Sequence, residues 1–142
     1  MVIIGFCAPS KTGKTTFLEH LLPRLLKDPA IEGPIGVIKH CHHQLNNHEH
    51  SDSNRLKRAG AHHVLATTEV SFSKVISSFP QCSLVLVEGF RSAKIPFLLL
   101  QREREDKDWK APQNVIDCIN LYDFETSIQK TLTTIHRLLL AQ

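Results

Sequence analysis

Short apolar runs along the chain alternate with segments in which apolar residues recur at helical spacing. A continuously apolar run is typical of a strand buried on both faces of a parallel sheet. Runs that predict strands lie at residues 2–7, 35–39, 64–67, 84–87 and 95–101. Helical spacing predicts one helix over residues 14–27, in which Pro23 should produce a kink or an early end. It also predicts a C-terminal helix that begins after Asp123, its expected cap.

The remaining segments are less regular. Residues 40–51 are polar and rich in histidine, which predicts a loop. Asp52 or Ser53 is then expected to cap a short helix that ends at Gly60. Residues 70–79 fit either a strand or a helix, and residues 102–110 form a mixed-charge surface segment. The alternation of strands and helices predicts an α/β fold with a mostly parallel sheet flanked by helices, in a single domain over residues 1–142.

Composition narrows the class of protein. Apolar residues make up 42% of the chain and charged residues 22%, as expected for a soluble globular protein. The net charge of +3, without a block of basic residues, does not indicate a nucleic-acid partner. There is no signal-peptide pattern, no apolar stretch long enough to cross a membrane, and no C-x-x-C among the four cysteines. We therefore expect a cytoplasmic protein without a membrane partner.

The segment A-P-S-K-T-G-K-T-T at residues 8–16 carries the strongest chemical signal. It matches the phosphate-loop pattern G-x-x-x-x-G-K-[ST], except that Ala8 replaces the first glycine, and it lies between a strand and a helix. Gly13 lets the backbone approach phosphate, Lys14 reaches the β- and γ-phosphates, and the Thr15 hydroxyl is a ligand for Mg²⁺. The alternative is an ordinary strand–turn–helix with a chance Gly-Lys-Thr. The motif and its context favour a P-loop NTPase-like protein that binds a purine nucleoside triphosphate with Mg²⁺.

A second acidic element follows the apolar run at residues 84–87. Glu88 leaves the sheet at the carboxyl edge of its strand, where ligands of α/β proteins bind. It is expected to hold Mg²⁺ directly or through water. The alternative is a charged residue that merely ends a strand.

Histidines and a cysteine cluster between the second strand and the next helix. The cluster comprises His40, Cys41, His42, His43, His48 and His50. Imidazole and thiol groups bind Zn²⁺ or Ni²⁺, but the spacing matches no closed structural zinc pattern. A polar loop that becomes ordered around a ligand is the alternative. Arg55, just beyond, fits either a solvated helix face or a contact with an anionic ligand.

Four motifs occur in a fixed order: T-G-K-T-T from Thr12, I-K-H-C-H-H from Ile38, D-S-N-R-L-K-R-A-G-A from Asp52, and L-V-E-G-F from Leu86. In this order they resemble the MobB family, the adaptor proteins of molybdopterin-guanine dinucleotide biosynthesis. The resemblance covers about residues 3–101. The phosphate loop alone is unspecific, whereas the combination of motifs is specific.

The resemblance implies a GTP-binding protein, typically a homodimer, with at most slow GTP hydrolysis. Family members are thought to assist the guanylyltransferase MobA in attaching GMP to molybdopterin. Lys39, His40 and Asp52 would face the nucleotide or the Mg²⁺ region, with Glu88 as a further metal ligand. The residues that would surround the phosphates are Ser10, Lys11, Thr12, Gly13, Lys14, Thr15 and Thr16.

The chain also departs from the family pattern. Ser51 stands where members usually carry lysine, and residues 103–113 lack the apolar strand that members usually have before the final helix. No N-K-x-D guanine motif is present, so the preference for GTP rests on the resemblance alone. Two other functions stay open: a small-molecule kinase, with residues 102–110 as a poor lid, and a His-rich metallochaperone GTPase. No catalytic residue is assigned, although Arg91 could act in cis.

Overall fold

A computed structural model describes residues 1–9, 12–102 and 108–142. The described chain forms one parallel sheet in the order β3-β2-β4-β1-β5-β6. The strands are β1 (Val2–Cys7), β2 (Ile35–His40), β3 (His63–Thr67), β4 (Leu84–Glu88), β5 (Phe97–Gln101) and β6 (Val115–Asn120). The helices are α1 (Lys14–Leu26), α2 (Asn47–Ala59), α3 (Phe72–Ser78) and α4 (Phe124–Leu140). The predicted α/β fold with a parallel sheet is confirmed.

Two apolar cores lie on opposite faces of the sheet, because successive residues of a strand point to opposite faces. On one face α1, α2 and α4 pack against alternate residues of the central strands. Phe17 of α1 lies at the centre of this core, with its ring centroid 6.1 Å from those of both Phe6 and Phe124. The second core includes Val75 of α3 and Phe90, which follows β4.

The helix predicted over residues 14–27 is present as α1, and it continues through Pro23 to Leu26. The C-terminal helix α4 begins as predicted, with Asp123 as its cap: the Thr126 backbone N–H donates to Asp123 Oδ1 at 3.1 Å. No helix among the described residues is long and apolar enough to cross a membrane.

The helix after β2 begins earlier than the sequence indicated, so the predicted loop over residues 40–51 is wrong in its second half. Asn46 caps α2 by accepting hydrogen bonds from the backbone N–H groups of His48 at 2.9 Å and Glu49 at 3.2 Å. The Glu49 carboxylate in turn accepts from the Asn46 N–H at 3.1 Å, which completes a capping box. The predicted caps Asp52 and Ser53 therefore lie inside the helix. Gly60 ends α2 as expected.

Two further elements refine the sequence-based picture. The ambiguous segment 70–79 contains the helix α3, capped by Ser71. The strand β6 was not predicted; it pairs with β5 from Val115 to Asn120, between β5 and α4. The chain therefore has an additional strand before its final helix, contrary to the expectation from residues 103–113. Residues 103–107 of the mixed-charge segment lie outside the described residues.

Candidate functional site

The turn between β1 and α1 folds back on itself through side-chain hydrogen bonds to its own backbone. Lys14 Nζ donates to the Ala8 carbonyl at 3.0 Å, and Thr12 Oγ1 donates to the Pro9 carbonyl at 2.6 Å. Gly13 caps α1 without a side chain, so no side chain occupies the N–H groups of the first helical turn. Such a helix N-terminus favours anions. Ser10 and Lys11, both predicted phosphate contacts, lie outside the described residues.

The backbone conformation at residue 13 favours glycine. Its φ of +106° lies in a region that residues with a Cβ rarely adopt. A Cβ at this position would lie 2.9 Å from Nη2 of Arg102, the end of a flexible side chain. The Arg102 guanidinium therefore sits directly against the loop, because Arg102 follows β5 and β5 is the neighbour of β1 in the sheet.

Glu88 ends β4, the other neighbour of β1, and its side chain lies beside the start of α1. The residue is only 6% exposed, and the Thr15 hydroxyl donates to Glu88 Oε2 at 3.5 Å. Burial raises the pKa of the Glu88 carboxyl, although the positive charges of Lys39 and Lys14 oppose the shift. The structure thus brings Lys14, Thr15 and Glu88 together at the carboxyl edge of the sheet.

Lys39 adds a second cation at this edge. It lies opposite Glu88 in the register of β2 and β4, and its Nζ donates to Asp52 Oδ2 of α2. Both side chains of this ion pair are largely buried. Burial alone would lower the pKa of Lys39, but the hydrogen bond that Lys39 donates to Asp52 and the charge of Glu88 outweigh this effect, so the pKa is raised.

Arg55, whose role the sequence left open, links α2 to α1. Its Nε donates to Glu19 Oε2 at 2.9 Å, its Nη2 to Thr16 Oγ1 at 3.2 Å, and its Nη1 to Asp52 Oδ1 at 3.5 Å. Asp52 is therefore held between Lys39 and Arg55. This arrangement fixes α2 beside α1 and keeps the Asp52 carboxylate close enough to Glu88 that its charge helps to raise the pKa of Glu88.

His40 is placed apart from the other predicted nucleotide contacts. It follows Lys39 on β2, so its side chain points to the opposite face of the sheet. There it stacks on Phe90, with ring centroids 4.1 Å apart. Burial lowers the pKa of His40, and the neighbouring His42 adds to this shift. A contact of His40 with the nucleotide remains a prediction.

The other histidines of the cluster lie on the surface of α2 and the preceding segment. His43 is 3.8 Å from Glu49 and His48 is 3.6 Å from Asp52. Over residues 1–9, 12–102 and 108–142, no three or more His, Cys, Asp or Glu side chains are grouped so that they could hold a metal ion. Transition-metal binding therefore stays a hypothesis from composition.

Oxygen donors, by contrast, converge near the loop. The Thr15 hydroxyl and the carboxylates of Glu88 and Asp52 are the donor types that Mg²⁺ prefers. Lys14 supplies the matching positive charge for phosphate. Burial lowers the pKa of Lys14, while the charge of Glu88 opposes the shift. The donor set fits a magnesium-bound phosphate group.

The fold and this turn define a P-loop NTPase-like α/β protein. A family model described as "Molybdopterin guanine dinucleotide synthesis protein B" matches residues 3–121, and the chain belongs to this MobB family. The chain is 33% identical over 152 residues to the molybdopterin-guanine dinucleotide biosynthesis adapter protein of Haemophilus influenzae, with 96% of this chain and 83% of the relative covered. It is 28% identical over 118 residues to the protein of the same name in Escherichia coli, with 71% and 66% covered.

The sequence singled out Lys14, Thr15, Lys39, Asp52 and Glu88 as candidates and left the role of Arg55 open, but it did not single out Arg102. No motif marks that arginine, since it simply follows a strand. Its place against Gly13 depends on β5 being next to β1, and this adjacency is visible only in the sheet. A search for cations at the carboxyl end of every predicted strand would have included it.

Proposed function

We propose that the chain binds Mg²⁺ and GTP at the turn between β1 and α1, within a single nucleotide-binding domain. In this state it serves as an adaptor for the attachment of GMP to molybdopterin by the guanylyltransferase MobA. The observation that carries the nucleotide site is the convergence of Lys14, Thr15 and Glu88 around a helix N-terminus. Membership of the MobB family and the names of the two relatives support the adaptor role.

Each residue has a distinct part in this proposal. Backbone N–H groups of residues 12–16 surround the phosphates, and Lys14 contacts the β- and γ-phosphates. Thr15, Glu88 and Asp52 hold Mg²⁺, directly or through water. Lys39 orients Asp52 and offsets the charge of Glu88. Magnesium supplies charge neutralisation between the phosphates when it is bound.

Arg102 completes the phosphate site. Its guanidinium lies against Gly13, at the position from which a planar fork of N–H donors reaches a phosphate oxygen. A guanidinium in this place adds charge to the side of the loop opposite Glu88, because β5 and β4 flank β1.

The hydrogen bonds accepted by Asp52 and Glu88 support an adaptor role with at most slow hydrolysis of GTP. Asp52 is bound by Lys39 and Arg55, and Glu88 accepts from Thr15. Carboxylates that accept these hydrogen bonds and also bind Mg²⁺ are poor general bases for activating water. Nucleotide binding, and not turnover, is then the property that the partner enzyme senses.

We further infer that the protein acts in the cytoplasm as a homodimer. The described sheet ends in two edge strands, β3 and β6, and an open edge is a surface suited to association. Ile116 on β6 is 49% exposed, which is unusual for a large apolar side chain and gives this edge an apolar contact.

The test is a reconstituted synthesis of molybdopterin guanine dinucleotide from purified MobA, molybdopterin and GTP. Wild-type chain is expected to raise the yield of dinucleotide, whereas Lys14→Ala is not. Lys57→Ala, which removes an exposed lysine of α2, is the matched control and should act like the wild type. Equal stimulation by Lys14→Ala would show that the adaptor works without its nucleotide site. No stimulation by the wild type would contradict the adaptor role.

A further inference from the structure

A cavity of about 710 Å³ opens at the carboxyl edge of the sheet, on the side where Phe90 packs. Its size lies within the range of small-molecule sites. Among the described residues, its walls come from the ends of β2 and β4 and from residues 91–94 and 110–114. The phosphate site uses none of these side chains except, by prediction, His40.

The turn after β4 shapes this cavity. Gly89 and Phe90 have positive φ angles of 93° and 51°, so the chain reverses sharply directly after Glu88. A Cβ on Gly89 would lie 2.8 Å from the Cβ of His40, and glycine therefore allows the turn to press against β2. As a result Glu88 faces the phosphate site, while Phe90, which is only 4% exposed, supports the ring of His40 from below, and His40 lines the cavity as its aromatic wall.

The rim of the cavity is strongly cationic. Arg91, Lys94 and Lys110 line it, and no Asp or Glu is present among the described lining residues. The Arg91 guanidinium is held in place, because its Nη1 donates to the Lys110 carbonyl at 3.2 Å and its centre lies 5.5 Å from the centroid of the Trp109 ring. Three positive charges on one rim favour an anion, and a fixed guanidinium favours a phosphate.

Polar groups suited to a heterocycle lie beside the aromatic wall. The Gln113 and Asn114 amides offer both donors and acceptors. Both ring nitrogens of His40 are buried and have no hydrogen-bond partner among the described residues, so His40 offers a ligand its ring and not its nitrogens. A heterocycle bearing amino and oxo groups would meet the Gln113 and Asn114 amides along its edge.

We infer that this cavity binds a phosphorylated aromatic heterocycle, with the ring against His40 and the phosphate at Arg91, Lys94 and Lys110. This inference rests on the proposed function. The molecule that accepts the nucleotide would bind next to the nucleotide itself. The turn from Glu88 to Phe90 forms the partition between the two sites. Arg91 lies close enough to the phosphate loop that its charge helps to lower the pKa of Lys14.

The experiment measures binding of neopterin monophosphate, a fluorescent phosphorylated pterin, to the full-length chain in the absence and presence of GTP and Mg²⁺. Neopterin without phosphate and inorganic phosphate are the comparison ligands. The double variant Lys94→Gln/Lys110→Gln removes two rim charges, and Lys57→Gln removes one exposed charge elsewhere as the matched control. GTP binding is measured on every variant by calorimetry, which also reports whether the variant is folded.

The expected result is binding of neopterin monophosphate that survives saturation with GTP. The double variant should weaken it by roughly tenfold or more, because charged contacts to phosphate are lost, while GTP affinity stays unchanged. Lys57→Gln should bind as the wild type does. Neopterin should bind at least about tenfold more weakly than its phosphate ester, by the same loss of charged contacts.

Three outcomes would overturn the inference. The double variant could bind the probe as the wild type does, or GTP could displace the probe competitively, which would place it in the phosphate loop. Inorganic phosphate could compete at the same concentration as the probe, which would reveal a simple anion site without a ring subsite. Failure of GTP to bind would instead contradict the proposed nucleotide site. The cavity would then still be tested by comparing probe binding to the wild type with probe binding to the double variant.

Discussion

Three charged residues at the carboxyl edge of the sheet shift one another's pKa values. Burial disfavours the charged forms of Glu88 and Lys14, and each of these residues favours the charged form of the other. The pKa of Lys39 is raised, because the hydrogen bond to Asp52 and the charge of Glu88 outweigh the effect of burial. Binding of Mg²⁺ by Glu88 therefore requires the carboxyl group to lose its proton.

A pH dependence of GTP binding follows from this arrangement. The pKa of Glu88 is raised above its ordinary value of 4.5, so Mg²⁺ must displace a proton from part of the molecules at mildly acidic pH. Affinity for GTP with Mg²⁺ is expected to increase as pH rises from 4.5 through the raised pKa of Glu88, and to level off once Glu88 is fully ionised. Calorimetry across this range measures the effect.

The matched variants are Glu88→Gln, which should lose both the pH slope and most of the Mg²⁺ dependence, and Glu32→Gln at an exposed site. Glu32→Gln should retain the wild-type profile. A wild-type affinity that does not vary over this pH range would rule out a titrating Glu88 ligand.

Arg102 is expected to strengthen nucleotide binding. Arg102→Ala should lower the affinity for GTP by roughly tenfold, because one charge-assisted contact to phosphate is lost. The loss should shrink at high salt, since Arg102 is exposed and its charge is screened. Arg58→Ala, at an exposed position of α2, is the control. Unchanged affinity in Arg102→Ala would exclude this contact.

Among the elements, α2 is stabilised at its N-terminus by the capping box of Asn46 and Glu49. Asn46→Ala removes two accepted hydrogen bonds and should lower the free energy of unfolding by about 1 kcal/mol. Asn47→Ala is a close control, since it changes the next asparagine, which is exposed and inside the helix. Urea denaturation of both variants measures the difference. Equal stabilities would show that the cap contributes nothing.

The burial of each strand explains whether the pattern of apolar residues predicted it. β1, β2 and β4 lie in the middle of the sheet and are buried on both faces, so each is a continuous apolar run. β6 is an edge strand in which only Ile119 is fully buried, so it shows no such run. Helical periodicity did not predict the start of α2, because the first turns of this helix are polar. The sequence feature that marks the start is the capping pair Asn46 and Glu49.

At the scale of the whole molecule, strand order determines which distant residues meet. The sequence predicted Lys14, Thr15 and Glu88 as a group because each follows a recognisable pattern. The order β3-β2-β4-β1-β5-β6 is not consecutive, so neither the contact of Arg102 with the loop nor the partition at Phe90 follows from the pattern of elements alone. The separation of His40 from Lys39, by contrast, follows from strand alternation once β2 is assigned.

Phe17 connects three elements of the larger core. It is fully buried and contacts the rings of Phe6 in β1 and Phe124 in α4. Phe17→Ala should reduce the free energy of unfolding by about 3–5 kcal/mol, as expected for an aromatic side chain lost from a packed core. Leu140→Ala, at a position that is 86% exposed, should change it little. A small effect of Phe17→Ala in chemical denaturation would contradict this packing.

The central claim is that the turn between β1 and α1 binds GTP together with Mg²⁺. The most direct measurement is calorimetric titration of GTP and ATP, with and without Mg²⁺, into wild-type protein and Lys14→Ala. We expect GTP binding that requires Mg²⁺, exceeds ATP binding and is lost in Lys14→Ala. ATP binding equal to or tighter than GTP binding would contradict the guanine preference. Absence of binding by either nucleotide, or full binding by Lys14→Ala, would contradict the site itself.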